Sequence, residues 1–168
     1  HRLDPGNESW WRWMPRRLEA EAIRDATLAV SGLLDRSIGG PSVPGEQAES
    51  SSRRSIYLRR QRQRMPEVLQ LFDSPAAITA CSRRRTSTVA LQPLYLLNSP
   101  RMQILRKRFA DRVKGVKGPD NAATAFQMAL GREPDPEEKN RLSEFLEQNS
   151  LEALCQSLLN LNEFVYLQ

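Results

Sequence analysis

The sequence predicts a mainly α fold: a C-terminal antiparallel helical bundle over 99–168, with an arginine-rich extended or short β segment packed on it. Three observations carry this. Beyond Ser99, apolar residues recur at helical spacing behind recognisable helix starts. The breaks between those helices are short, which sets consecutive helices antiparallel. Earlier, "RRSIYLRR" at 53–60 places Ile56, Tyr57 and Leu58 among arginines, a run suited to a short strand or extended segment.

The elements follow in order. Pro15 suits a first helical turn, and Leu18, Ile23, Ala26, Val30 and Leu33 or Leu34 share one side, so a helix is expected from Pro15 to about Leu34. Just before it stand Trp10, Trp11 and Trp13, expected to pack on this domain or on upstream sequence, with a sugar- or ligand-stacking platform as the alternative. Segment 39–52, "GGPSVPGEQAESSS", is rich in turn formers and reads as a flexible surface loop. "PEVLQLF" at 66–72 is a short helical turn, stopped by Asp73-Ser74-Pro75.

Ser99-Pro100 is an N-cap with proline in the first turn, and Met102, Leu105, Phe109 and Val113 form one apolar face. A break at 115–119 leads to a helix with Ala122, Phe126, Ala129 and Leu130, stopped near Gly131. Asp135-Pro136-Glu137-Glu138 has the capping-box pattern, ahead of Leu142, Phe145 and Leu146. Asn149 with Glu152 is read as the same device, opening a last helix with Leu151, Leu154, Cys155, Leu158 and Leu159 at helical spacing.

A chain of 168 residues suits a single domain, 1–168, able to bury roughly 70% of its unfolded surface. No run approaches the ~18 apolar residues of a membrane span, and the first residues hold no signal-peptide core. The net charge of +5 is uneven, for 53–85 holds nine arginines, no lysine, and only Glu67 and Asp73 as acids. Arginine's planar fork makes bidentate bonds to carboxylate or phosphate and stacks on aromatic rings. Three roles compete for this run: pairing with acidic helices such as the one holding Glu19, Glu21 and Asp25; docking an acidic partner or anionic polymer; and binding nucleic acid. The last is disfavoured, because no nucleic-acid-binding signature accompanies the arginines. Candidate residues for an anionic partner are Arg53, Arg54, Arg59, Arg83, Arg84 and Arg85, and Tyr57, Gln92 and Asn98 are candidates for a polar pocket.

Enzyme motifs are missing: no P-loop, no G-x-G-x-x-G, no G-x-S-x-G and no H-E-x-x-H, and His1 is the only histidine. No catalytic or metal-binding residue is therefore nominated. The two cysteines, Cys81 and Cys155, lack both the C-x-x-C-H of haem attachment and the ligand number of a zinc site, leaving a bridge or two buried thiols open.

Several strings occur together and in order: "RRLEAEAIRDATLAVSG" (16–32), "GGPSV" (39–43), "RRSIYL" (53–58), "LFDSP" (71–75), "RRTSTVALQPLYLLNSP" (84–100), "ALGREPDPEE" (129–138) and "LCQSLLNLNEFVYL" (154–167). With them the chain resembles the C-terminal part of a planctomycete-type domain of unknown function, family 1553. That domain is found in large exported proteins that often carry planctomycete-type cytochrome c domains. One departure is the order Gln92-Pro93, where relatives tend to have the reverse.

The resemblance implies an exported, periplasmic or envelope setting, and an upstream region of the same polypeptide as a partner. It implies no cofactor in this chain, haem belonging to an upstream module. Export also favours a Cys81–Cys155 disulfide, which would tie the arginine run to the last helix while "VALQPLYLL" packs inward. The function expected is a non-catalytic scaffold or interaction domain that docks an upstream domain or anionic polymer through an arginine-rich face. The alternatives are part of an enzyme or carbohydrate-handling site completed by upstream sequence, and nucleic-acid binding.

Overall fold

The computed structural model describes residues 4, 6–62, 65–78, 80–116, 118 and 120–167. His1, Arg64 and two residues of the 115–119 break lie outside these. The fold is mainly helical with one short two-stranded antiparallel sheet.

The longest helix among the described residues is α4 (Pro100–Gly115). The Ser99 side chain accepts the Met102 N–H, and proline stands in the first turn, where it removes no needed donor. Met102, Leu105, Phe109, Ala110 and Val113 are buried along one stripe, with Phe109 and Val113 fully so. α5 (Asn121–Leu130) is capped by Asp120, which accepts from Ala122 and Ala123, and stops at Gly131, whose φ of +74° suits a residue without Cβ. In α6 (Pro136–Gln148) both halves of the Asp135–Glu138 capping box are formed. α7 (Leu151–Leu159) buries Leu154, Cys155, Leu158 and Leu159. It packs against α4, α5 and α6. Its cap is Ser150, which accepts from Ala153, whereas Asn149, the expected cap, is the C-cap of α6. The two are adjacent, and it is the Ser150 hydroxyl that takes the Ala153 N–H while the Asn149 amide donates back to the Phe145 carbonyl at 3.1 Å.

The N-terminal elements depart further from expectation. Arg16–Arg17 are β1, antiparallel to β2 (Tyr166–Leu167), and the Leu18 N–H bonds the Val165 carbonyl at 2.8 Å. α1 therefore runs Ala20–Val30 and does not begin at Pro15: pairing with β2 holds the chain extended up to Glu19. Its end is set by Gly32 at φ +75°, after which Leu33 and Leu34 both donate to the Leu28 carbonyl. The β element of the fold is this pair and not the arginine run at 53–60. That run makes a 3-10 turn at Ser55–Tyr57 between two isolated bridges, Asp35 with Arg53 and Val43 with Leu58. The Asp25 carboxylate draws in both the Ser55 N–H, at 2.8 Å, and its hydroxyl, at 2.7 Å, so the chain turns where propensity would extend it.

Segment 39–52 is irregular yet anchored, because Val43 and Ala48 are buried and Val43 exchanges backbone bonds with Tyr57 and Arg59. α2 (Glu67–Leu71) is the expected short turn. "LQPLYLLN" forms a helix the sequence did not announce, α3 (Leu91–Asn98), and only Gln92, Tyr95 and Leu96 turn inward while Leu91 and Leu94 face solvent. Pro93 is tolerated because it stands in the first turn, where N–H groups have no helical partner. α8 (Asn162–Val165) links α7 to β2. One apolar cluster spans Ala20 to Val165, so the core includes α1 and α2 as well as the helices after Ser99.

Candidate functional site

The polar architecture is built from arginines, and most are used internally. Arg24 stands within the buried stripe of α1, beside Ile23 and one turn from Leu28, and is only 7% exposed. Its guanidinium donates to the carbonyls of Ser51 (2.7 Å), Arg53 (2.9 Å) and Ala48 (3.2 Å) and to the Ser55 hydroxyl (3.3 Å), with Asp25 at 3.5 Å. An irregular segment has no neighbouring strand to take its carbonyls, and one arginine fork takes three of them. Burial pulls the Arg24 pKa below its usual value, and the Asp25 charge opposes that.

Arg17 does the same for the turn after α2. It donates to the Phe72 carbonyl at 3.0 Å, to Asp73 Oδ2 at 2.8 Å and to the Ser87 carbonyl, with its guanidinium over the Phe72 ring. Asp73 also accepts the Ser87 N–H (2.7 Å) and hydroxyl (2.9 Å). Burial works to raise the Asp73 carboxyl, and the Ser87 and Arg17 hydrogen bonds outweigh it, leaving the group below its ordinary 3.8. Gln92 donates to the carbonyls of Leu71 (3.0 Å) and Ser87 (3.2 Å). The arginine-bearing loop is therefore clamped onto α2 from both sides.

A second cluster centres on Glu21 of α1. Arg84 reaches it at 2.7 Å and Glu19 at 3.1 Å, Ser74 donates at 3.0 Å, and Arg60 bonds both Glu21 and Ser74. Burial works to raise the Glu21 carboxyl, but the bonds from Arg84 and Ser74 leave it below its ordinary 4.5. Arg54 lies 3.9 Å from Asp25. Arg53 stacks 3.9 Å from the Tyr57 ring and bonds the carbonyls of Ser37, Gly39 and Pro41. Pairing with the acids of the first helix thus accounts for Arg54 and Arg84, and loop carbonyls account for Arg53.

The nominated residues do not form one site. Tyr57 lies under Arg53, its hydroxyl accepting the Gly39 N–H; Gln92 is buried on backbone carbonyls; Asn98 is exposed at the end of α3. No cavity lining or hydrogen bond among the described residues joins the three. Nor are the cysteines bonded. Cys155 is fully buried on α7, with burial raising its thiol to about 12, while Cys81 is exposed and donates to the Arg83 carbonyl at 3.2 Å. The expected bridge is replaced by a core thiol and a surface thiol, because α7 turns Cys155 into the bundle and the loop turns Cys81 outward.

Arg59, Arg83 and Arg85 remain exposed, and among the described residues their guanidinium groups make no ion pair or hydrogen bond. Arg83 and Arg85 line an open cleft of about 550 Å³ with Gln70, Asp73, Ser74 and Cys81. Its one carboxylate, Asp73, is already held by Arg17 and Ser87. Arg83 also borders a neighbouring cleft of about 520 Å³ formed with Trp10, Trp13 and Met14. Arg84 lines a different, mixed-charge cleft with Glu19, Glu21 and Arg60. The more enclosed cavities measure about 20 and 10 Å³, room for a water at most. Among the described residues no His, Cys, Asp and Glu side chains cluster to hold a metal ion, and no helix is long and apolar enough to cross a membrane.

Sequence reasoning missed Arg17, Asp73, Ser87 and the internal role of Arg24. No local signal marked Arg24, because the side read from Ile23, Ala26 and Val30 leaves it out, whereas the stripe actually buried runs through Ala20, Ile23, Thr27 and Leu28 and turns it inward. Asp73 and Ser87 gave none, as their meeting depends on how the intervening loop closes. On this domain the tryptophans do not pack inward: Trp10, Trp11 and Trp13 are 84%, 50% and 65% exposed.

Fold and site together define a helical domain held by internal arginine clamps and carrying open, basic surface clefts. The chain belongs to the family described as PSD1, Protein of unknown function (DUF1553), whose family model matches residues 1–146. The match ends within α6, so the "LCQSLLNLNEFVYL" string of α7, α8 and β2 lies beyond it. No curated protein and no solved structure matches the chain.

Proposed function

We propose that this domain is a non-catalytic interaction module of an exported envelope protein, docking an acidic partner through Arg83 and Arg85. The observation that carries this reading is the division within three consecutive arginines. Arg84 is tied down to Glu19 and Glu21, whereas Arg83 and Arg85 face a separate cleft with no acid left to neutralise them. Cationic forks on a clamped loop lose little conformational entropy when an anion arrives, which favours binding. The exported setting and an upstream region of the same polypeptide as the acidic partner rest on the family resemblance.

The test is titration with poly-glutamate at rising salt. Arg83→Ala with Arg85→Ala should abolish binding and leave the melting temperature unchanged, while Arg84→Ala should lower the melting temperature. Salt-insensitive binding, or binding that survives loss of Arg83 and Arg85, overturns the proposal.

A further inference from the structure

The three tryptophans stand on a loop built to expose them. Asn7 is buried, and its side chain makes a two-point brace to the backbone of Arg12, donating to the carbonyl at 2.8 Å and accepting the N–H at 3.1 Å. Asp4 closes the other side, its carboxylate accepting the N–H groups of Glu8 (2.9 Å) and Ser9 (2.8 Å), while its carbonyl takes the Trp11 indole N–H at 3.2 Å. Within this frame Trp10 sits at φ +53°, a left-handed conformation that bulky residues rarely adopt, and is the most exposed of the three. Hydrophobic collapse would favour the opposite arrangement. A strained, cross-braced backbone that holds an indole in water points to a ligand for that indole.

The surroundings define the ligand. Trp10, Trp13 and Met14 line the cleft of about 520 Å³ together with Arg12, Arg16 and Arg83, and no carboxylate lines it. Flat apolar rings beside arginine forks match a molecule with an apolar face and an anionic edge. An acidic peptide offers charge with a flexible, mostly polar chain. A pyranose offers C–H faces for the indoles, hydroxyls that stay in water, and, when it is a uronate, a carboxylate for a guanidinium. Arg83 lies on both this cleft and the one beside Cys81, so the two form adjoining subsites along one basic surface. We infer that the Trp10–Trp13–Arg83 cleft binds an acidic polysaccharide. This deepens the docking reading above and rests on it for the role of Arg83.

Three probes separate the possibilities: polygalacturonate, the same polymer with its carboxylates methyl-esterified, and poly-glutamate. Polygalacturonate should quench tryptophan fluorescence and shield the indoles from acrylamide. Trp10→Ala and Trp13→Ala should each weaken its binding about tenfold, the order of one lost aromatic contact, with no change in melting temperature. Methyl esterification should weaken binding at least as much, and poly-glutamate binding should be indifferent to both tryptophan substitutions. If polygalacturonate fails while poly-glutamate binds through Arg83 and Arg85, this inference falls and the docking module stands; if neither binds, both fall. Poly-glutamate binding that depends on Trp10 would make the occupant an acidic peptide and overturn the inference. Should Trp10→Ala disturb the loop, the unaltered protein decides: no acrylamide protection at saturating polygalacturonate rejects the site.

Discussion

After Ser99, every helix from α4 to α7 starts at a side-chain cap supplied within three residues, and the helices close on one another through apolar stripes. Before Ser99, α1, α2 and α3 have no side-chain cap, and the chain turns through irregular stretches whose carbonyls are taken by arginines from far along the sequence. One region satisfies its backbone locally and the other at long range. A local scheme depends on apolar packing and on caps that act alone. A long-range scheme depends on a few buried charges, each holding several segments at once, so it is sensitive to charge removal and to acid. The two are joined by Arg112 of α4, which donates to the Ala29 and Val30 carbonyls at the end of α1 at 2.7 and 2.9 Å.

The largest effect expected is in the bundle. Phe109→Ala opens a cavity at a fully buried position and should cost about 3–5 kcal/mol, read as the midpoint of denaturant unfolding. A cost below 1 kcal/mol would mean that the stripe of α4 is not the core. Arg24→Leu should follow at about 3 kcal/mol, since it leaves the Ala48 and Arg53 carbonyls without their side-chain donor and takes from Ser51 the shorter of its two arginine bonds. Its signature differs, with amide protection falling first across 48–55 while α4 and α7 stay protected.

Acid sharpens the contrast. Glu21 and Asp73 titrate in the folded chain below their ordinary values of 4.5 and 3.8, so the stability they contribute is full above those values and is lost as pH falls through the lowered ones. All three tryptophans lie at 10–13, so their fluorescence reports on the region before Ser99. On titration below pH ~4.5 that signal should change before far-UV ellipticity falls. In the bundle the half-buried Glu138 carboxylate resists protonation. Hydrogen bonds from Arg132 and from the Asp135 backbone hold it to about 2. Simultaneous loss of both signals would show that the two regions are one cooperative unit.

A cap substitution is smaller still. Asp135→Ala removes half of the capping box of α6 and should cost about 1 kcal/mol. The smallest effect belongs to Cys81→Ser, within about 0.5 kcal/mol for an exposed side chain away from the core. In native protein Cys81 should alkylate at once and Cys155 only after unfolding. Mass analysis showing the two oxidised to each other would restore the bridge and break the comparison, because it would tie the arginine loop covalently to α7.

By itself the sequence determined the second half. Ser99, Asp135 and the 3.6-residue spacing of Met102, Leu105 and Phe109 act within one or two turns, so their meaning does not depend on distant partners. It also carried the family and the suspicion that arginines meet the acids of the first helix. Only the tertiary structure decided the rest. Residues 16–17 pair across 150 residues with 166–167, which shortens α1. Asp25 turns Ser55–Tyr57 into a 3-10 turn, and closure of the 73–87 loop decides that Arg84 is held while the Arg83 and Arg85 side chains stay exposed. These outcomes rest on hydrogen bonds between groups with no fixed sequence separation. Local propensity and periodicity carry no record of which donor will reach which carbonyl.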